Sequence, residues 1–141
     1  MISPYLIAIL ASWLVAQGAK YILVAIRNRN FDHFRQLYLS GNMPSAHSAT
    51  VVSIATLIGL REGTYSAIFG LAIAFAGVVL YDAVMVRRSV GEQGAAIQTL
   101  IRKHKEPIPL PRAAKGRTPL EVVVGSLLGL AIGYVVFIAT I

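Results

Sequence analysis

The chain has no cysteine, which excludes disulfides, thiol catalysis and thiolate metal sites while saying little about compartment. Charge is scarce too: only 13% of the 141 residues are charged, against roughly 25% in soluble domains. With 56% hydrophobic residues, that balance points to a bilayer. Basic, aromatic-interleaved surface segments of a soluble nucleic-acid reader are also missing. The net charge of +7 therefore does not signal nucleic acid as a partner. No basic stretch precedes the first apolar run, and that run is too long for the apolar core of a signal peptide, so none is expected.

What the chain does have is four apolar runs, each near the roughly 20 residues needed to cross a hydrocarbon core. They cover residues 2–26, 44–60, 64–86 and 119–140, the second short and rich in small residues. Arg61-Glu62-Gly63 reads as a tight turn between the second and third runs. Between the third and fourth, residues 89–104 mix Val90, Ile97, Leu100 and Ile101 with charged and polar residues, the pattern of an amphipathic helix at the membrane interface. Pro107, Pro109 and Pro111 then enforce an extended strap. The expected architecture is all-α: a single membrane domain over residues 1–141, with about four transmembrane helices plus an interfacial helix.

Twelve of the thirteen Lys and Arg residues lie beside the same ends of these runs, and only Arg61 lies at the other ends. By the positive-inside rule the basic side is cytoplasmic, and four spans place both termini outside the cell membrane. The fourth run carries Gly125, Gly129 and Gly133 at intervals of four, a smooth face that another helix can approach closely. Gly70 and Gly77 on the third run could offer the facing groove. Packing within the bundle and a homodimer seam are equally open for that face.

Polar groups stand where the spans begin and end. In Asn42-Met43-Pro44-Ser45-Ala46-His47, proline at a first helical position after an Asn or Met cap marks a helix start. Free N–H groups there, with the Ser45 hydroxyl, make an anion site, and His47 can move a proton near neutral pH. The same segment also reads as a polar cap with an interfacial histidine. Asp82 sits at or just inside the membrane, where carboxylates are costly and usually paired or functional; a basic residue of a neighbouring helix is its expected partner. Arg87 and Arg88 suit bidentate phosphate binding, or ordinary membrane anchoring. Lys20 precedes Arg27 by seven residues, about 10 Å along one helical face. It either snorkels to the headgroups or points at an anion within the bundle. Thr118-Pro119-Leu120-Glu121 matches a capping box, which gives Glu121 a structural role beside that of orienting a cation or histidine.

All of these residues, with Arg117, can converge at one end of one bundle. Clustered cations, a helix N-terminus and a proton-transfer group are what phosphoryl chemistry needs, so a phosphorylated lipid is the expected partner besides the bilayer. Basic residues outnumber plausible metal ligands, so no metal or other cofactor is expected.

The same residues resemble the type 2 phosphatidic acid phosphatase superfamily, and more closely its divergent branch related to acid phosphatases and vanadium-dependent haloperoxidases. The superfamily's first motif, Lys then six residues then Arg-Pro, is met by Lys20 and Arg27, with Asn28 in place of proline. Its Pro-Ser-Gly-His motif becomes Pro44-Ser45-Ala46-His47, within the divergent pattern that Gly41 to Ala49 follows. Asp82, Ala83, Val86, Arg87, Arg88, Gly91 and Gln93 match the branch's Asp-Ala-x-x-Val-Arg-Arg-x-x-Gly-x-Gln. Its last motif, Gly-His-x-Pro-x-Glu-Val-x-x-Gly, recurs from Gly116 to Gly125, but Arg117 replaces the histidine.

The resemblance implies that Lys20, Arg27, Ser45, Arg87 and Arg88 bind phosphate, with Arg117 adding charge. It implies His47 as general acid, with Glu121 and Asp82 as supporting carboxylates. The replaced histidine is the superfamily's nucleophile, and a permanently protonated arginine cannot attack phosphorus. Three readings follow: a phosphatase working by another route, a non-catalytic binder of lipid phosphate or anionic headgroups, or a small membrane scaffold. Four spans are fewer than the superfamily's usual six, so an active site would need a second copy to wall it.

Overall fold

The computed structural model describes residues 2–28, 43–104, 108–110 and 118–141, with the backbone alone for residues 27 and 28. All regular structure among the described residues is helical: α1 (Pro4–Asn28), α2 (Ala46–Glu62), α3 (Ala67–Tyr81), a π-helical segment (Asp82–Val86), α4 (Arg87–His104) and α5 (Pro119–Ala139). Three stretches are long and apolar enough to cross a membrane: Pro4–Ile26, Ala67–His104 and Pro119–Ala139.

The helix ends follow local chemistry. Ser45 caps α2, its hydroxyl accepting the Ser48 N–H at 3.3 Å and the Ser48 hydroxyl at 2.7 Å. The α2 start is therefore Ala46 after a Ser45 cap, and Pro44 lies just outside the helix. Serine wins because its hydroxyl reaches an orphan N–H in the first turn, which Met43 cannot do. Gly63, at φ +82°, ends α2 in a backbone region that other residues rarely enter, and makes the tight turn possible. Ser66 caps α3 by accepting the Phe69 N–H. Thr118 and Glu121 form the reciprocal capping box of α5, with Pro119 at its start.

The short second run has a physical cause. At 17 residues, α2 is about 25 Å long, less than the hydrocarbon core. It packs against α1, α3 and α5, and Ala46, Ser48, Ala49, Val51, Ser53, Ala55, Leu57 and Ile58 are buried. A helix lined by protein need not be apolar all round.

The glycine face of α5 packs on α2 and not on Gly70 and Gly77. A Cβ at Gly125 would stand 2.5 Å from the Ser45 carbonyl oxygen, and one at Gly133 would stand 2.6 Å from that of Ser53. One at Gly129 would collide with the Ala49 carbonyl. Ser45, Ala49 and Ser53 supply the matching small residues, so the two helices run parallel in fixed register. Added Cβ atoms at Gly70 and Gly77 meet nothing within 4 Å.

α1 runs antiparallel to this pair. Ala8 joins Leu57 and Val136 in one buried cluster, and Ala16 joins Ala46 and Ala49 in a second. At the end away from the basic residues, the Tyr5 hydroxyl donates to Glu62, and Arg61 donates to the Thr140 carbonyl and, at 2.8 Å, to its hydroxyl. These contacts hold the α1 start and the α2 and α5 ends together.

The third span does not stop at Val86. It passes through the π segment into α4 without a break, so the amphipathic stretch is its continuation. No residue of α4 is buried.

Candidate functional site

The basic end is assembled from helix termini. The Ser45 N–H donates to the Glu121 carbonyl at 3.1 Å, fastening the start of α2 to the start of α5. Ala16 packs on Ala46 and Ala49, and Lys20 follows one helical turn (about 6 Å) further along α1. That places Lys20 at the level of the α2 start, and it is only 5% exposed. Buried lysine is rare unless partnered, so this one points into the bundle and does not snorkel outward. Arg27 belongs to the same unbroken helix, seven residues on and therefore on nearly the same face.

On α2, Ser45 is 1% exposed and His47, in the first turn, is exposed. The Ser45 hydroxyl accepts two bonds from Ser48, so it serves the helix cap. Glu121 likewise gives its carboxylate to the Thr118 N–H at 3.3 Å. For both residues the capping role is visible in the geometry.

Asp82 pairs with Arg87 at 3.0 Å, a partner on its own continuing helix where a neighbouring helix was expected. The π turn explains this. In an α-helix, positions five apart differ by about 140° around the axis, which keeps side chains apart. Here the Arg87 N–H donates to the Asp82 carbonyl, an i to i+5 bond that stacks residue 87 over residue 82. Both side chains are close to half exposed. Arg88 points elsewhere and pairs with Glu92 at 3.1 Å, one turn along α4. The π segment also touches α5, which brings Asp82 to the same end as Ser45 and Glu121. Arg117 lies outside the described residues.

Gln17 is the residue that sequence reasoning passed over. Its Oε1 is buried without a hydrogen-bond partner among the described residues, one turn before Lys20 on α1. The available signal was a polar residue interrupting an apolar run three positions before a lysine. Among the described residues no cluster of His, Asp and Glu is placed to hold a metal ion.

The arrangement places a buried lysine, an exposed histidine in the first turn of a helix and two arginines on the continuing third span. The family model described as "Divergent PAP2 family" matches residues 2–132. A Bacillus subtilis (strain 168) protein, "Uncharacterized membrane protein YuiD", is 33% identical over 140 residues, covering 89% of this chain and 88% of its own length. No solved structure matches.

Proposed function

Because the chain belongs to the Divergent PAP2 family, we propose that it is a multi-pass membrane protein that binds the phosphate of a phospholipid or isoprenoid phosphate at its basic end. The observation that carries this reading is the junction of α1, α2 and α5. The Ser45–Glu121 backbone bond joins two helix starts, and the buried Lys20 lies at the level of the α2 start. Helix N-termini and a desolvated cation both favour an anion, and the hydrocarbon around them favours one attached to a lipid. Lys20, Arg27, Arg87 and Arg88 supply the charge, and His47 is the group able to exchange a proton with a phosphate oxygen. The charge bias supports a cytoplasmic basic end with both chain termini outside.

Binding without cleavage is the reading that the sequence favours, since Arg117 stands where the superfamily places its nucleophile. The test measures binding of, and phosphate release from, a panel of lipid monophosphates by the purified native chain and by His47→Ala and Arg117→His. Binding by an inert native chain, with turnover gained in Arg117→His, is the expected result. Turnover by the native chain that His47→Ala abolishes would replace it with a phosphatase working through His47. Absence of both binding and release in all three proteins would leave a scaffold.

A further inference from the structure

α4 begins where the hydrocarbon ends. α3 and the π segment together run from Ala67 to Val86, about 30 Å of helix, which already matches the thickness of a hydrocarbon core. The 18 residues of α4 continue the same helix for about 27 Å more. None of them is buried against the bundle.

The two faces of α4 differ in kind. At about 100° per residue, Val90, Ile97 and Ile101 fall within about 40° of one another, with Leu100 beside them. Val90, Ile97 and Leu100 are about half exposed, so this stripe is left uncovered. Arg88, Arg102 and Lys103 lie on the other face. Glu92 is the one acid of α4, and it is already paired with Arg88 at 3.1 Å. A helix that carries Gly91 and Gly94 and buries nothing is not sustained by its own propensity. Its apolar stripe needs a surface.

Charge chooses that surface. An apolar stripe backed by cations is the pattern of a helix lying in a lipid interface and drawn to anionic headgroups. A helical protein partner would call for charges of both signs flanking the stripe, as in coiled-coil seams, and α4 has no free acid to offer. We propose that α4 turns at the π segment and lies along the leaflet at the basic end. Val90, Ile97, Leu100 and Ile101 sink among the headgroups there, and Arg102 and Lys103 hold anionic lipid. The π segment sits at the boundary itself, and such interruptions of the helical ladder are where helices change direction. This surface is independent of the phosphate reading of the basic end.

The chain has no cysteine, so Ile97→Cys and Ala95→Cys give single reporters on opposite faces of α4. Each full-length variant carries an environment-sensitive fluorophore and is reconstituted into phosphatidylcholine vesicles with or without phosphatidylglycerol. Quenching by a lipid with a nitroxide near its headgroup is then measured. Leu100→Cys, on the same stripe, repeats the measurement if Ile97→Cys does not fold.

The label at position 97 should be quenched and the label at 95 should not, with a larger difference when phosphatidylglycerol is present. Adding Arg102→Gln and Lys103→Gln should weaken docking by about fivefold for each charge removed, and only in the anionic vesicles. Equal quenching at both positions, or none at 97, would overturn docking on the leaflet. Quenching at 97 that ignores both phosphatidylglycerol and the two charges would overturn the choice of anionic lipid. Shielding of 97 that follows protein density at fixed lipid composition would overturn the proposal in favour of a second copy on the stripe.

Discussion

Gln17 places an amide inside an apolar helix and leaves its oxygen buried without a partner among the described residues. An unsatisfied buried acceptor costs about 1–3 kcal/mol, so Gln17→Met, which keeps the shape and removes the amide, should raise the ligand-free unfolding midpoint by a few degrees. An unchanged or lower midpoint in a thermal melt would mean that the amide is satisfied. The Asp82–Arg87 pair makes the opposite kind of case. Both partners are close to half exposed, so the pair contributes at most about 1 kcal/mol to stability. The pair also engages the Arg87 Nε, one of the donors that the proposed phosphate would use. Asp82→Asn should leave the unfolding midpoint nearly unchanged and tighten phosphate binding, measured by titration of a lipid monophosphate. Weakened binding would assign Asp82 a direct part in holding the ligand. The sequence showed that Asp82 would seek a cation but not which one, because the partner depends on a π turn that has no local signature in Asp82-Ala83-Val84-Met85-Val86.

At the scale of helices, the parallel α2–α5 seam governs packing. Gly129→Ala drives a methyl group into the Ala49 carbonyl, whereas a methyl at Gly70 meets only open space. The first substitution should cost about 1–3 kcal/mol or more, as overpacking does. Gly70→Ala should be neutral or slightly stabilising by removing backbone freedom. Paired unfolding curves of the two variants decide this, and equal effects would dismiss the seam. The legibility of such features tracks their range. The capping box at Thr118 and the turn at Gly63 were readable because their partners lie within a few residues. The glycine stripe was readable as a contact face, but its partner was sought among other glycines. Ser45, Ala49 and Ser53 carry the same four-residue spacing, and no local rule ranks one small-residue face above another. The continuation of α3 into α4 was hidden by Arg87 and Arg88, which mark the end of an apolar run without ending a helix.

For the whole molecule, orientation is the property that the charge pattern addresses and the packing does not. The chain has no cysteine, so His104→Cys at the exposed end of α4 gives a single reporter. With the basic end inside, an impermeant thiol reagent applied to intact cells should leave it unlabelled until the cells are opened. Labelling from outside would reverse the orientation and move the proposed lipid site to the other leaflet.

The register between α2 and α5 also has a bearing on biogenesis. Each contact in that seam joins residues eighty positions apart, from Ser45 with Gly125 to Ser53 with Gly133. Synthesis delivers the two halves at different times. α2 is short and buries Ser48 and Ser53 as well as its cap Ser45, and the helix it packs on most, α5, follows it by about eighty residues. Until Pro119–Ala139 emerges, the small-residue face of α2 has only α1 and α3 to shield it. α5 thus covers a face that α2 must otherwise hold open for about eighty residues of synthesis, and a product truncated before α5 would leave that face uncovered.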